Sequence, residues 1–153
     1  MNKNAESVAD MLKAHPRSIS PPLFSVLSHA NNPTVKQVFY PKYSPTRPFY
    51  DHCRCPNGGY GGLLSVTFFT IEDAIEFFDT LDVAKGPSLG TNFTLASPYT
   101  LLAHYGELEW ARGYGVEENL VRISVGLEET AELVGVVRKA LEAVEPIGWS
   151  AGV

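Results

Sequence analysis

Arg122 stands inside "LVRISVG", a run that otherwise has the composition of a buried strand. Alternation places Val121, Ile123 and Val125 on one face and Leu120, Arg122 and Ser124 on the other. A guanidinium keeps its charge in a protein and is costly to bury unpaired. Arg122 therefore needs an anion, and two are open: a structural carboxylate of the chain itself or a bound ligand.

Other residues of chemical interest have plainer readings. "DHCRC" gathers His52, Cys53 and Cys55, but a closed zinc site takes four ligands, usually with a second pair elsewhere, and the sequence has no second pair. Both thiols are expected to be reduced and structural, with no metal bound. "PNGGYGG" (56–62) is glycine-rich, yet phosphate cradles follow a strand and open a helix. This run precedes a strand and lacks a GK[ST] ending, so a tight turn is expected. His104 lies beside an apolar helical stripe, where packing is the commoner role and acid–base work the alternative. Ser88-Leu89-Gly90, with Asn92 close by, has the chemistry of an ordinary turn.

The elements that position these residues follow from periodicity. Ala5, Val8, Ala9 and Leu12 make a helical stripe ended by "HP" at 15 and 16. "TVKQVFYP" (34–41) alternates and stops at proline, as an edge strand does. "FYDHCR" forms a short helix, and "GGLLSVTFF" (61–69) is the clearest strand. Thr70 caps a helix whose expected buried stripe is Ile71, Ala74, Ile75, Phe78 and Leu81. "AKGPSLGTN" is expected as loop and "FTLA" as a strand. Ser97-Pro98 is expected to cap a continuous helix to about Arg112, with Leu101, Tyr105 and Leu108 on one stripe. The last helix carries Leu133, Val136, Val137, Ala140, Leu141 and Val144, with Glu128, Glu129 and Glu132 complementing its dipole.

The fold class is α+β (α/β): one small mixed, largely antiparallel sheet with helices packed on one face. A single domain spans 1–153, with an N-terminal helix at 1–16, a loop at 17–33, a sheet-and-helix body at 34–146 and a tail at 147–153. With 44% apolar and 19% charged residues the chain is globular, and 153 residues suffice for one core. A net charge of −5 argues against nucleic acid. No apolar run approaches the ~18 residues of a membrane span, and "MNKNAESVADML" lacks a signal-peptide core. With two cysteines only two residues apart, a cytoplasmic location is expected.

Three ordered motifs carry a resemblance. "GGYGGLLSVTF", then "GPSLGTNFTLASPYTL", then "LVRISVGLEE" before an apolar helix resemble the C-terminal small domain of the Cys/Met-metabolism enzymes of pyridoxal phosphate (PLP) fold type I. That family includes cystathionine gamma-synthase, the cystathionine lyases and methionine gamma-lyase. The resemblance implies that Arg122 grips a substrate α-carboxylate and that Ser88, Leu89 and Gly90 form the loop beside it, with the nearby Asn92 a further substrate-binding candidate. The family's "ESLGG" stands here as "PSLGT", with Pro87 and Thr91 replacing the acid and a glycine. Its "HPASMTHA" stands as "SPYTLLAH", so substrate choice is not inherited.

The family's large domain, which holds PLP, would precede Met1, and no lysine of this chain stands in a Schiff-base context. The chain alone is therefore expected to carry no cofactor, with PLP only if a separate large-domain partner exists. It would act as half of a PLP enzyme of sulfur amino-acid metabolism on a small carboxylate metabolite. The alternative is a PLP-independent cyclase, isomerase or lyase using His104, Tyr99, Tyr105 and Glu107 as acid–base groups and Arg122 as clamp. A non-catalytic binding module is the third reading. Apolar surface on the first helix (Val8, Leu12) and around the Ser88 loop is expected to be covered by a homodimer, a higher oligomer or a PLP-domain chain.

Overall fold

Strand alternation and helix stripes meet on one side of a sheet. A computed structural model describes residues 1–15 and 34–144. The expected loop at 17–33 and tail at 147–153 lie outside the described residues. The elements in chain order are α1 (Asn2–Ala14), β1 (Val35–Phe39), α2 (Arg47–Cys53), β2 (Leu63–Phe68), α3 (Ile71–Thr80), β3 (Ala84–Lys85), β4 (Leu95–Pro98), α4 (Tyr99–His104), α5 (Leu108–Gly113), β5 (Val121–Ser124) and α6 (Thr130–Ala143). Among the described residues the strands form one five-stranded sheet in the order β1-β2-β5-β4-β3. All neighbours pair antiparallel except β3 with β4. The architecture is the mixed α/β one expected.

Helices α1, α3 and α6 cover one sheet face. Their buried side chains include Val8 and Leu12 from α1, Phe77 from α3, and Val137 and Leu141 from α6. They meet Leu64, Val66 and Phe68 of β2 and Ile123 of β5, all essentially without solvent contact. Burying one such side chain stabilises by about 1.5–3 kcal/mol. The Phe68 and Phe77 rings pack with centroids 5.0 Å apart. Helix α1 is tied to the β5–α6 turn by Asn4, whose Nδ2 donates to the Glu128 carbonyl at 2.7 Å and whose Oδ1 accepts from Thr130 Oγ1 at 2.7 Å.

Several expectations are corrected. Val8 and Leu12 are wholly buried within the chain, so the first helix exposes no apolar face. In α3 the buried stripe is Asp73, Ala74 and Phe77, running on to Leu81, while Ile71 and Ile75 stand in solvent. The helix is rotated to put the larger Phe77 ring on Phe68. Thr70 does cap it, accepting from the Asp73 N–H at 3.1 Å.

The expected continuous helix from 98 to 112 is broken into α4, a 3-10 turn at Tyr105–Glu107 and α5. Only Thr100 of α4 and Ala111 of α5 are buried, so no long stripe holds the helix together, and Gly106 weakens its middle. Tyr105, expected on that stripe, is 78% exposed. Strand β4 begins two residues later than expected: Ser97 pairs with Arg122 in the ladder and makes no helix cap. Ala84 and Lys85, expected as loop, add a short parallel strand.

Candidate functional site

The sheet face away from α1, α3 and α6 carries Arg122, and its neighbours there are largely covered: Ser97 and Ser124 are buried. Strand register sets Ser65 of β2 and Ser97 of β4 opposite it on either side. Directly opposed residues in an antiparallel pair have Cβ atoms about 4.5–5.5 Å apart, so two small hydroxyl side chains leave room beside the guanidinium. Arg122 is half-buried. Its Nη2 donates to the Pro87 carbonyl, and its Cζ lies 4.8 Å from the centroid of the Tyr99 ring. Among the described residues no carboxylate lies within ion-pair distance of it.

The loop from β3 to β4 is fastened at its start and near its middle. Gly86 N–H donates to the Ala96 carbonyl at 3.0 Å, and Gly90 N–H donates to Ser124 Oγ at 3.0 Å. Gly90 has φ +76°, a left-handed conformation in which a Cβ is strained. Ser88 and Leu89 between these anchors are exposed, Leu89 by 57%. Asn92 is exposed as well, and its carbonyl accepts from the Leu127 N–H at 2.8 Å.

The other candidates divide. Tyr99 opens α4, and its N–H donates to the Leu120 carbonyl at 3.2 Å. His104 closes α4; its Nδ1 lies 2.8 Å from Glu107 Oε1, and its ring centroid is 5.9 Å from that of Tyr99. Arg122, Tyr99, His104 and Glu107 therefore form one connected chain of contacts. Tyr105 points into solvent apart from them.

Sequence reasoning missed the Pro87 carbonyl and the Ser65 and Ser97 flanks, because cross-strand register is not written in any one segment. It also placed Glu128 on the α6 dipole. Glu128 instead accepts from the Thr94 N–H and from Thr94 Oγ1 at 2.9 Å. Glu129 alone caps the helix, accepting from the N–H groups of Ala131 and Glu132.

Two open clefts lie elsewhere. One of about 480 Å³ is lined by residues such as Phe39, Tyr40, Tyr43 and Tyr50, with no charged side chain among the described residues that line it. Another of about 410 Å³ lies among Lys36, Arg112, Glu117 and Glu118. Arg122 lines neither of them. Cys53 and Cys55 are exposed free thiols. Among the described residues no group of three or more His, Cys, Asp or Glu side chains is placed for a metal. No helix among them is long and apolar enough to cross a membrane.

This chain belongs to the Cys/Met metabolism PLP-dependent enzyme family, whose model matches residues 1–142. It is 48% identical over 145 residues to a cystathionine gamma-synthase of Neurospora crassa, a match covering 95% of this chain and 21% of that one. It is 53% identical over 110 residues to a cystathionine gamma-synthase of Saccharomyces cerevisiae, covering 70% of this chain and 17% of that one. Among solved structures, a Campylobacter jejuni protein described as an O-acetylhomoserine (thiol)-lyase superposes with a TM-score of 0.70 at 23% identity, over 92% of this chain and 30% of that one. That likeness shows the fold, a PLP fold type I domain. The chain spans about a fifth of the length of the two curated relatives.

The described residues do not fit a Schiff-base site for PLP. Lys36 pairs with Glu117, and Lys42 with Glu6 and Asp10. Lys13 lies over the Tyr43 ring, while Lys3 and Lys139 are exposed. Lys85 donates to the Phe78 and Leu81 carbonyls at the end of α3. Burial holds its pKa below the usual lysine value, against the opposing charges of Asp79 and Asp82. Its amine is thus committed to the carbonyls at the end of α3.

Proposed function

We propose that this chain is the carboxylate-gripping part of a cystathionine gamma-synthase-like enzyme, its cofactor being held by polypeptide other than the described residues. The observation that supports the reading is Arg122: a half-buried guanidinium with a carbonyl and an aromatic face for partners and no carboxylate of the described residues within reach. A guanidinium offers five N–H donors in a planar fork suited to bidentate carboxylate binding. One N–H is committed to Pro87, which leaves donors for a substrate. The substrate class is a small α-amino acid of sulfur metabolism, gripped by its carboxylate. The cofactor-holding polypeptide would dock beside Arg122, where the exposed Leu63 and Leu89 offer apolar contact.

L-Cystathionine is the probe for the test, titrated into the full chain and followed through the Arg122 side-chain NMR signal. Arg122→Lys keeps the charge and loses the fork, so binding should weaken about ten- to a hundredfold, the worth of a charge-assisted contact of about 1.5–3 kcal/mol. The melting temperature should hardly move. A large melting loss with unchanged binding would make Arg122 a structural residue and end this reading.

A further inference from the structure

We propose that Tyr99 is a positioning residue for the Arg122 clamp, fixing the direction in which the fork meets a carboxylate. The inference rests on the clamp reading above. Three observations carry it. The Tyr99 ring lies 4.8 Å from the Arg122 Cζ, within the range over which an aromatic face attracts a cation. The Tyr99 backbone is fastened to the segment that leads into Arg122, through its N–H to the Leu120 carbonyl at 3.2 Å. The next residue repeats the tie, Thr100 Oγ1 donating to the Glu117 carbonyl at 2.7 Å.

Ring and guanidinium are therefore held in one register, two residues apart along the path into β5. The Tyr99 ring in turn meets the His104 ring edge to face, at 5.9 Å between centroids, and His104 is held by Glu107 at 2.8 Å. Pro87 takes one N–H of Nη2 and Tyr99 takes a face, so the fork is restrained in both respects that matter for meeting a planar anion. A long, flexible arginine held this way gives up less freedom when its carboxylate arrives. The role needs the π face of Tyr99 and not its hydroxyl.

L-Cystathionine binding and the Arg122 Nε–Hε signal test the assignment in Tyr99→Phe and Tyr99→Leu. Tyr99→Phe keeps the face and should bind as the parent does. Tyr99→Leu should bind about three- to thirtyfold more weakly at an unchanged melting temperature, with the Nε–Hε signal moving to the position of a free arginine. If Tyr99→Leu does not fold, Tyr99→Met fills the space without a π face and repeats the measurement. Binding weakened by Arg122→Lys but untouched by Tyr99→Leu overturns the positioning role alone. Binding untouched by Arg122→Lys means that the clamp reading itself has failed. An equal loss in Tyr99→Phe would move the role to the phenol and overturn the assignment.

Discussion

The two faces of the sheet are made from alternate residues of the same strands, yet they differ in nearly every physical respect. On the helix-covered face Leu64, Val66 and Ile123 are sealed beneath α1, α3 and α6. On the other, Ser65, Arg122 and Ser97 lie in a row across three strands, Arg122 half-buried and Ser97 buried, and none of the three is apolar. Apolar burial drives folding and has little directional preference, whereas an unpaired guanidinium contributes nothing to a core. Stability thus resides on one face, and the proposed recognition on the other. Because one strand residue serves each face in turn, a single-residue slip of β5 would bury Arg122 and expose Ile123.

The largest effect that can break this division is expected at Phe77. Phe77→Ala removes a fully buried ring from its contact with Phe68 and should cost about 3–5 kcal/mol of unfolding free energy, measured by urea titration. L-Cystathionine affinity of the folded fraction should not change, since distant sites act independently. A change in affinity as large as that of Arg122→Lys would show that the faces are coupled.

How much of each face was legible in the sequence follows the same division. The core of α6 was plain, because Leu133, Val137, Ala140 and Leu141 repeat at helical spacing and all are buried. Strands β2 and β5 were equally plain from alternation. Helix α3 was read one position off, because Phe77 and Phe78 are both apolar and only packing on Phe68 chooses between them. On the other face Arg122 was legible as a charge in an apolar run. The Pro87 carbonyl was not, because a backbone acceptor leaves no mark on residue type. Nor was the break at Tyr105–Glu107, where exposed segments lack the burial that makes helical periodicity visible.

One substitution made on both sides should have opposite signs. Gly135 is exposed in the interior of α6, and a Cβ there would meet nothing within 4 Å. Gly135→Ala should therefore stabilise by about 0.5–1 kcal/mol through helix propensity. Gly90 also has open space around it, but its φ of +76° turns the same change into strain of about 1–2 kcal/mol. Gly90→Ala should also disturb the N–H bond to Ser124 and with it the loop that presents the Pro87 carbonyl. Urea midpoints of the two variants, moving apart from the parent in opposite directions, are the expected result. Movement in the same direction would contradict the conformational assignment of the loop.

The smallest effect concerns acid, and it belongs to the rim of the helix-covered face. Asp10 of α1 accepts from Lys42 Nζ at 2.8 Å and from the Tyr43 hydroxyl. Burial pushes its carboxyl pKa up, but the Lys42 and Tyr43 hydrogen bonds and the Lys42 charge outweigh it, and the pKa falls below the usual aspartate value. A carboxylate whose folded pKa is depressed releases its proton in the folded state first. Its stabilisation is therefore complete above the unfolded value of about 3.9 and is lost as pH falls through the lower, folded value. The Asp10 side chain is 47% exposed, so solvent screens the pair and the contribution amounts to about a few tenths of a kcal/mol. Asp10→Asn should lower the urea midpoint slightly at neutral pH and flatten its fall below about pH 4 relative to the parent. The measurement is the urea midpoint of both proteins across that range, at low salt, where an exposed pair is least screened. Parallel curves for parent and variant would show that the Asp10 cluster joins α1 to the 3-10 turn Pro41–Tyr43 by packing alone, with the Lys42 charge contributing nothing.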